Sequence, residues 1–307
     1  MKRYLLIALL TLAASVSAQV AAGPNRPGNV PDGYVVTPFG YFHSSCVQTV
    51  ASSDTLLADG RVQHKDGTVS SAATCNYPRY AHDGTPKVAS QAKAQAQAPE
   101  VNGWIESTSI VAPTNKSFSG LWDSSIVPSQ PRSNDGQVLF FFPGLEDIND
   151  PNTSILQPVL TWSAGQWTVS NWNCCLSNIV VQSTPININP GDRVVSSTVE
   201  NCRPGTLSCT TWNITSWDTN TGGSTTLLKT PSDGQVFNWA FGAVLEPYYV
   251  VSCEDYPIDR ETYYTAVFDE YFHLVNNPKW SDSVNTTETP QCGYKVRAQP
   301  YEITLSY

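Results

Sequence analysis

The sequence lacks the motifs on which the common hydrolases depend. It contains no Gly-x-Ser-x-Gly and no His-Glu-x-x-His, and its four histidines are scattered, three of them before residue 103. Serine and zinc hydrolases are therefore disfavoured, and we expect neither a metal nor another cofactor. Lys and Arg are also scarce, 17 against 26 Asp and Glu, and form no cluster. This balance argues against a nucleic-acid partner, because phosphate binding needs clustered basic residues.

Long apolar runs are missing as well. The basic start Met1-Lys2-Arg3, a short apolar stretch and Val16-Ser17-Ala18 are typical of a secretory signal peptide at residues 1–18. No later segment approaches the roughly 20 apolar residues of a membrane span. We therefore expect a secreted, extracellular monomer without membrane contact after signal cleavage.

The eight cysteines are even in number, which suits disulfides in an oxidising compartment. We predict the pairs Cys46–Cys75 and Cys202–Cys209, the second closing a turn at residues 203–205. Because all eight thiols can pair, cysteine catalysis is disfavoured.

The remaining four cysteines leave one pairing open. Cys174 and Cys175 are adjacent, and we expect them to reach separately to Cys253 and Cys292. Sequence alone does not fix which joins which.

Four sequons predict a glycoprotein. The pattern Asn-x-Ser/Thr occurs at Asn115, Asn152, Asn213 and Asn285. Glycosylation at these positions would place each of them at the surface.

An Ala/Gln-rich tract at residues 88–99 divides the chain. It is too poor in large apolar residues to pack a core, so we place a domain boundary at residue 103. Strand-like runs and Asp-Gly turns before it predict a small β unit within residues 19–103, closed by a disulfide. This segment is either a propeptide released by cleavage in the tract or an accessory module on a linker.

Residues 104–307 have a β pattern throughout. Short runs rich in Val, Ile, Thr, Trp and Tyr recur between turn signals such as Pro143-Gly144 and Gly222-Gly223. This spacing is typical of antiparallel sandwiches rather than of βαβ units. Helical periodicity is weak, although residues 258–274 could hold a turn or two. We predict an all-β fold, an antiparallel two-sheet β-sandwich.

Two polar residues within apolar strands are the candidates for chemistry. Gln157 and Glu246 each stand between a Leu and a Pro, and Glu246 lies in the most apolar strand region of the chain. Because Pro cannot donate to a ladder, each polar residue is expected beside a bulge or at a strand edge.

Four segments follow the order of a known set of motifs. They are Gly144-Leu145-Glu146, Ile155-Leu156-Gln157, Pro190-Gly191-Asp192 and the aromatic strand that ends in Glu246. In this order they resemble the glutamic peptidases, or eqolisins, over about half of the chain. This chain has Pro158-Val159 where the family has Thr-Gly, and Pro247 where it has Trp. The resemblance implies a concanavalin-A-like jelly roll and a secreted acid endopeptidase, made as a zymogen, that acts on polypeptides.

The resemblance also implies roles for three residues. Gln157 matches the catalytic glutamine of the family, Glu246 matches its catalytic glutamate, and Glu146 matches an acidic residue of the substrate cleft. Glu246 would deprotonate a water and later protonate the leaving amine, while Gln157 would donate to the oxyanion.

The tryptophans support alternatives from other classes. Most are expected in the core, but an exposed row could bind substrate or stack on sugar rings, with Trp162 and Trp239 the candidates nearest the proposed site. A carbohydrate-binding lectin without catalysis is the main alternative. A β-sandwich glycosidase would need two carboxylates about 5–9.5 Å apart across a cleft, which Glu146 and Glu246 could supply.

Overall fold

A computed structural model describes residues 26–87, 103–150, 154–176 and 178–307. The predicted signal peptide, the Ala/Gln-rich tract and the sequon at Asn152 lie outside the described residues. Among the described residues, no helix is both long and apolar enough to cross a membrane.

The described residues form strands and two short 3₁₀ turns, at Ser44–Cys46 and Cys253–Asp255. The strands are β1 (Tyr34–Thr37), β2 (Gly40–His43), β3 (Val47–Val50), β4 (Thr55–Leu56), β5 (Val62–Gln63), β6 (Val69–Ser70), β7 (Arg79–Tyr80), β8 (Pro86–Lys87), β9 (Glu106–Val111), β10 (Phe118–Ile126), β11 (Val138–Glu146), β12 (Ile155–Ser163), β13 (Gln166–Leu176), β14 (Ile179–Ser183), β15 (Ile186–Ile188), β16 (Arg193–Glu200), β17 (Thr211–Asp218), β18 (Ser224–Pro231), β19 (Trp239–Tyr248), β20 (Glu261–Asp269), β21 (Ser281–Val284), β22 (Lys295–Ala298) and β23 (Glu302–Ser306).

Two large sheets make up the body of the molecule. Sheet I has the order β21-β9-β19-β11-β12-β13-β14-β3, with β15 paired to β13, and sheet II has the order β22-β23-β20-β10-β16-β17-β18-β4-β5-β6. Pairing is antiparallel except where β3 joins β14 and β4 joins β18. The predicted antiparallel two-sheet β-sandwich is confirmed.

The core between the sheets is aromatic and aliphatic. Sheet I contributes Leu139, Phe141, Leu160, Trp162 and Trp167, which form one cluster with Tyr263, Ile303 and Leu305 of sheet II. β11 and β19 are buried at every position, as expected for strands covered on both faces. Part of the second face of sheet I is covered by the N-terminal segment.

Residues 26–87 pack on the sandwich and complete both of its sheets. β3 extends sheet I and β4 to β6 extend sheet II, while β1 and β2 form a hairpin, here called the N-terminal hairpin. The disulfide Cys46–Cys75 closes this unit as predicted. Its assignment as propeptide or accessory module stays a prediction.

The predicted turn at Pro143-Gly144 is wrong, because β11 runs through it to Glu146. The register of β11 against β12 is the same on both sides of this point, which sets Pro143 opposite Pro158. Neither proline has an N–H to donate. The hydrogen bonds between β11 and β12 are therefore interrupted at this pair, while the register stays unchanged.

Two other segments differ from expectation. Residues 258–274, where a strand-like run from residue 263 and a helical turn or two were both expected, contain β20 and no helical turn. Phe118–Ile126 forms β10, which no sequence pattern indicated. β10 is rich in Ser and contains Gly, but it pairs with β16 on one side and β20 on the other. This central position overrides its weak strand propensity.

The structure confirms one of the remaining disulfide predictions and corrects the other. Cys202 pairs with Cys209. Cys174 is joined to Cys175, and Cys253 is joined to Cys292, instead of the separate crosslinks that we expected. The Cα atoms of Cys253 and Cys292 lie 5.3 Å apart, within the span that a disulfide bridges.

The described sequons differ in exposure. Asn115 is exposed, whereas Asn213 and Asn285 are half-buried. The amide of Asn213 also donates to Asn201 Oδ1 at 2.7 Å. Glycosylation at the four sequons stays a prediction.

The tight packing at Gly144 yields a stability prediction. A Cβ on Gly144 would overlap the ring of Phe241 and lie 2.7 Å from the carbonyl oxygen of Leu156. We expect Gly144→Ala to lower the free energy of unfolding by about 1–3 kcal/mol, because a packed core resists added volume. Chemical denaturation would measure it, with Gly28→Ala as control, since a Cβ there meets nothing within 4 Å. Equal stability of the two variants would contradict the packing.

Glu106 and Asp123 are two of several buried carboxyl groups whose pKa is raised by burial. Glu106 is fully buried, and burial raises its pKa to about 8 although Oε1 accepts N–H groups of Lys295 and Ser306 at 2.6 and 3.2 Å. Burial also raises the pKa of Asp123 to about 7. Both carboxyls therefore hold a proton more tightly in the folded chain than in the unfolded one.

The raised pKa values predict that the fold is more stable in mild acid than at neutral pH. Because the folded chain binds more protons than the unfolded chain between about pH 4 and 7, the free energy of unfolding should fall as pH rises through this window. Asp123→Asn should flatten this dependence, measured by denaturant unfolding at several pH values. The exposed Asp135→Asn is the control. A parent protein whose stability rises from pH 4 to 7 would contradict the prediction.

Candidate active site

The candidate site lies on the face of sheet I that points away from sheet II, here called the groove face. Strand pairing places Glu246, Phe140, Thr161 and Thr168 in one row across β19, β11, β12 and β13. Residues directly opposite each other share a face, and so do alternate residues of a strand. Gln157, Glu146 and Glu246 therefore all project from the groove face.

The side-chain amide of Gln157 is fully buried and has no hydrogen-bond partner among the described residues. Its side chain has no exposed surface, and neither Nε2 nor Oε1 has a hydrogen-bond partner among the described residues. Burying an unsatisfied amide costs on the order of 1–3 kcal/mol, and native structures rarely leave one without a reason. A buried amide without a protein partner can form hydrogen bonds to a polar ligand, so this position suits a ligand site.

The structure does not bring Glu246 to Gln157. Glu246 lies level with Thr161, four residues along β12 from Gln157 and two strands away. The offset along the strand alone is about 13 Å, which is too long for one shared water. The residue level with Gln157 on β19 is Phe241, reached through Gly144. The predicted pairing of Gln157 with Glu246 therefore needs correction.

Glu146 is the carboxylate that the register sets beside Gln157. It stands opposite Ile155 on the neighbouring strand, so Glu146 and Gln157 are diagonal neighbours on one face. Such pairs have their Cα atoms about 7–8 Å apart, within reach of two long side chains. Glu146 is also buried. The sequence resemblance implied only that Glu146 lies in the substrate cleft.

A bulge lies between β11 and β19, one strand away from Gln157. The register of β19 shifts against β11 between Phe142 and Gly144, and against β9 between Phe241 and Ala243. Gln157 lies on β12, which pairs in register with both β11 and β13, and Glu246 sits in a regularly paired part of β19, so neither residue has the expected bulge or strand edge beside it.

Glu246 instead belongs to a contact with the N-terminal hairpin. The hydroxyl of Tyr248 donates to Glu246 Oε1 at 2.6 Å, and the backbone N–H of Gly40 donates to the Tyr248 oxygen at 3.1 Å. The ring of Tyr41 packs edge-on against Tyr248. Burial and the Glu246 carboxylate both raise the pKa of Tyr248, so the phenol stays a donor.

Of the two tryptophans predicted to bind substrate, one lies in the core and the other on the groove face. Trp162 faces the core between the sheets and packs on Trp167, with ring centroids 5.3 Å apart, so its assignment to substrate binding is corrected. Trp239 lies on the groove face, stacked on Trp104 at 5.9 Å. Sequence reasoning missed Trp104 and also Trp172, which pairs with Gln157 across β12 and β13.

The N-terminal hairpin covers part of the groove face. Val35, Val36 and Thr37 lie over Phe140 and Thr161, enclosing a cavity of about 50 Å³. At the hairpin turn Phe39 packs on Trp172, with centroids 6.2 Å apart. An external polypeptide could lie on this face only after the hairpin had moved.

His82 adds a titratable contact to this covering. Its Nε2 lies 2.6 Å from the carbonyl oxygen of Pro247, and its ring packs on Tyr248 at 4.3 Å. Burial lowers the pKa of His82, outweighing the Pro247 carbonyl and the carboxylates of Glu288 and Asp83, which raise it. Docking therefore favours the neutral imidazole over the charged one.

Acid should loosen the covering at His82. A lowered pKa means that the undocked histidine takes up a proton first, so docking is strongest above about pH 6.5 and weakens as pH falls. We expect the protection factors of residues 34–43, corrected for the slower intrinsic exchange at low pH, to fall on acidification, measured by hydrogen-exchange mass spectrometry. His82→Gln keeps a donor for Pro247 and should remove the dependence, with the half-exposed His64→Gln as control. An unchanged dependence in His82→Gln would refute this role.

The two carboxylates do not form a glycosidase pair. Glu146 and Glu246 lie on neighbouring strands, but Glu246 stands opposite Phe140, six residues from Glu146 along β11. The offset is about 20 Å, whereas glycosidases need about 5–9.5 Å. Among the described residues, no group of three His, Cys, Asp or Glu side chains could hold a metal ion.

Comparison with known proteins gives matches of structure only. No protein-family model and no curated protein matches the chain. Scytalido-glutamic peptidase with a peptide-based transition-state analogue is 14% identical with a TM-score of 0.49, over 67% of this chain and 98% of that one. SCP-B, an eqolisin in complex with the tripeptide Ala-Ile-His, is 15% identical with a TM-score of 0.47, over 67% and 98%. These values assign neither an activity nor a site residue.

Proposed function

We propose that this protein is a secreted acid endopeptidase, made in a latent form, whose reacting groups are Gln157 and Glu146. The observation that carries the proposal is the buried Gln157 amide without a partner, set diagonally to the Glu146 carboxylate on the groove face. An amide donor beside a carboxylate base is the minimum that metal-independent hydrolysis of a peptide bond requires. The four disulfides suit an oxidising, extracellular compartment.

The chemistry would proceed in two proton transfers. The Glu146 carboxylate takes a proton from a water as that water attacks the peptide carbonyl, and Gln157 Nε2 donates to the oxygen that becomes negative. Glu146 then gives the proton to the leaving amine. A base works while ionised, so a carboxylate can serve in mild acid, where the buried core carboxyls also favour the fold.

Aromatic rings surround the proposed dyad and would bind apolar side chains of a polypeptide. Trp172 lies opposite Gln157, while Trp104, Phe142 and Phe241 pack together beside it. Pockets of this kind combine apolar walls with few polar groups. The N-terminal hairpin over the same face accounts for latency.

Cleavage of denatured protein from pH 2 to 7 tests the proposal. In the full-length protein, Gln157→Ala should reduce kcat by about 10²–10³ and Glu146→Gln by about 10²–10⁴. Glu246→Gln should remain active and release the hairpin more readily, because it weakens the acceptor of Tyr248. Gln166→Ala is a matched control, since its amide is bonded to the carbonyls of Trp167 and Ile188.

Three results would count against the proposal. Full activity of Gln157→Ala would remove the amide from the mechanism. Activity lost in Glu246→Gln but kept in Glu146→Gln would make Glu246 the base, as the sequence resemblance implied. No cleavage by the parent protein at any pH, with hairpin opening verified by hydrogen exchange, would exclude a peptidase.

A further inference from the structure

The outward face of sheet II presents large aromatic side chains to solvent. Trp122 is 55% exposed, Tyr264 is 51% exposed and Trp217 is 42% exposed. Tryptophan is among the most buried residue types on average, so two indoles this exposed on one sheet are unusual. We call these three residues the aromatic platform.

Strand alternation shows that the platform residues share one flat face. Tyr264 on β20 stands opposite Ser124 on β10, Ser124 stands opposite Val195 on β16, and Val195 stands opposite Trp217 on β17. Tyr264 and Trp217 thus lie in one row, about 14 Å apart across three strand spacings. Trp122 is two residues from Ser124 on β10, about 7–8 Å from Tyr264 along the diagonal.

The strands that carry the aromatic platform pack on the core through their opposite face. The alternate residues of the same strands, such as Leu121, Ile214 and Val267, are buried in the core. The ring of Phe268 packs edge-on against Trp122, with centroids 5.9 Å apart, and supports the indole from the side. The three rings are therefore held on paired strands rather than on loops.

The surface between the rings is rich in hydroxyl groups and carries one charged side chain. Of the outward-facing residues of β10, β16, β17 and β20, Arg193 alone is charged, and its guanidinium donates to Ser124 Oγ at 3.0 Å. The others include Ser124, Ser197, Thr215 and Thr262. In a chain with a net charge of −9, the outward-facing residues of these four strands include a single charge, that of Arg193. Apart from Arg193, which already donates to Ser124, a charged partner would find no group of opposite charge on these strands, whereas a neutral partner needs none.

We propose that the aromatic platform binds a neutral, β-linked polysaccharide. Sugar rings offer an apolar C–H face that packs on an exposed indole or phenol, and hydroxyls that bond to Ser and Thr. Several rings on one flat face suit an extended saccharide chain better than a single sugar in a pocket. The site is distinct from the groove face, and its test needs no cleavage.

Binding of the full-length protein to microcrystalline cellulose and to chitin tests the proposal. We expect retention on at least one of them, released by a soluble oligosaccharide of the same linkage. Trp122→Ala, Trp217→Ala and Tyr264→Ala combined should weaken binding at least about tenfold. Tyr271→Ala is the matched control, being equally exposed but outside the platform. Binding is measured before and after removal of N-glycans, because Asn213 faces the same side.

Several outcomes would overturn the proposal. Equal retention of the triple variant and the parent would show that the platform is not the site. Retention that soluble oligosaccharide does not release would indicate simple apolar adsorption. A platform-dependent dimer in analytical ultracentrifugation, without retention on either polysaccharide, would identify a second copy of the chain as the occupant. Unchanged thermal unfolding of the variant excludes misfolding, since all three side chains are exposed.

Discussion

The unbroken register between β11 and β12 determines the geometry of the whole groove face. Pro143 stands opposite Pro158, so the ladder opens at this point without a shift, and Glu146 remains diagonal to Gln157. A slip of one residue would turn Gln157 into the core between the sheets and bring Leu156 out. The packing of Gly144 against Phe241 resists such a slip, because a larger residue would not fit there.

The covering of the groove face links the two halves of the chain. The N-terminal hairpin lies on it, while β3 and β4 of the same segment complete sheets I and II. Removal of the whole segment would thus expose two sheet edges as well as the groove. Release of the hairpin alone would leave both edges paired. Acid acts on the two parts in opposite directions, since it stabilises the protonated buried carboxyls of the sandwich and weakens the contact of His82 with Pro247.

The sequence predicted the fold better than it predicted the site. Alternation and turn signals sufficed for the sandwich, and spacing sufficed for Cys46–Cys75 and Cys202–Cys209. The polar position at Gln157 was also visible, as an amide in an apolar run. Its partner was not, because strand register depends on long-range pairing, and the bulge at Phe241 changes which residue of β19 faces Gln157. For the same reason no local pattern distinguished the buried Trp162 from the exposed Trp122.

The two proposed surfaces lie on opposite sides of the sandwich, which bears on how they could act together. The groove face belongs to sheet I and the aromatic platform to sheet II, with the core between them. Packed sheets are about 10 Å apart, so a polysaccharide on the platform would not approach the groove. A protein held on an insoluble matrix by sheet II would present its groove to solvent. Attachment through the platform would thus place hydrolysis at a surface without obstructing the entry of a polypeptide.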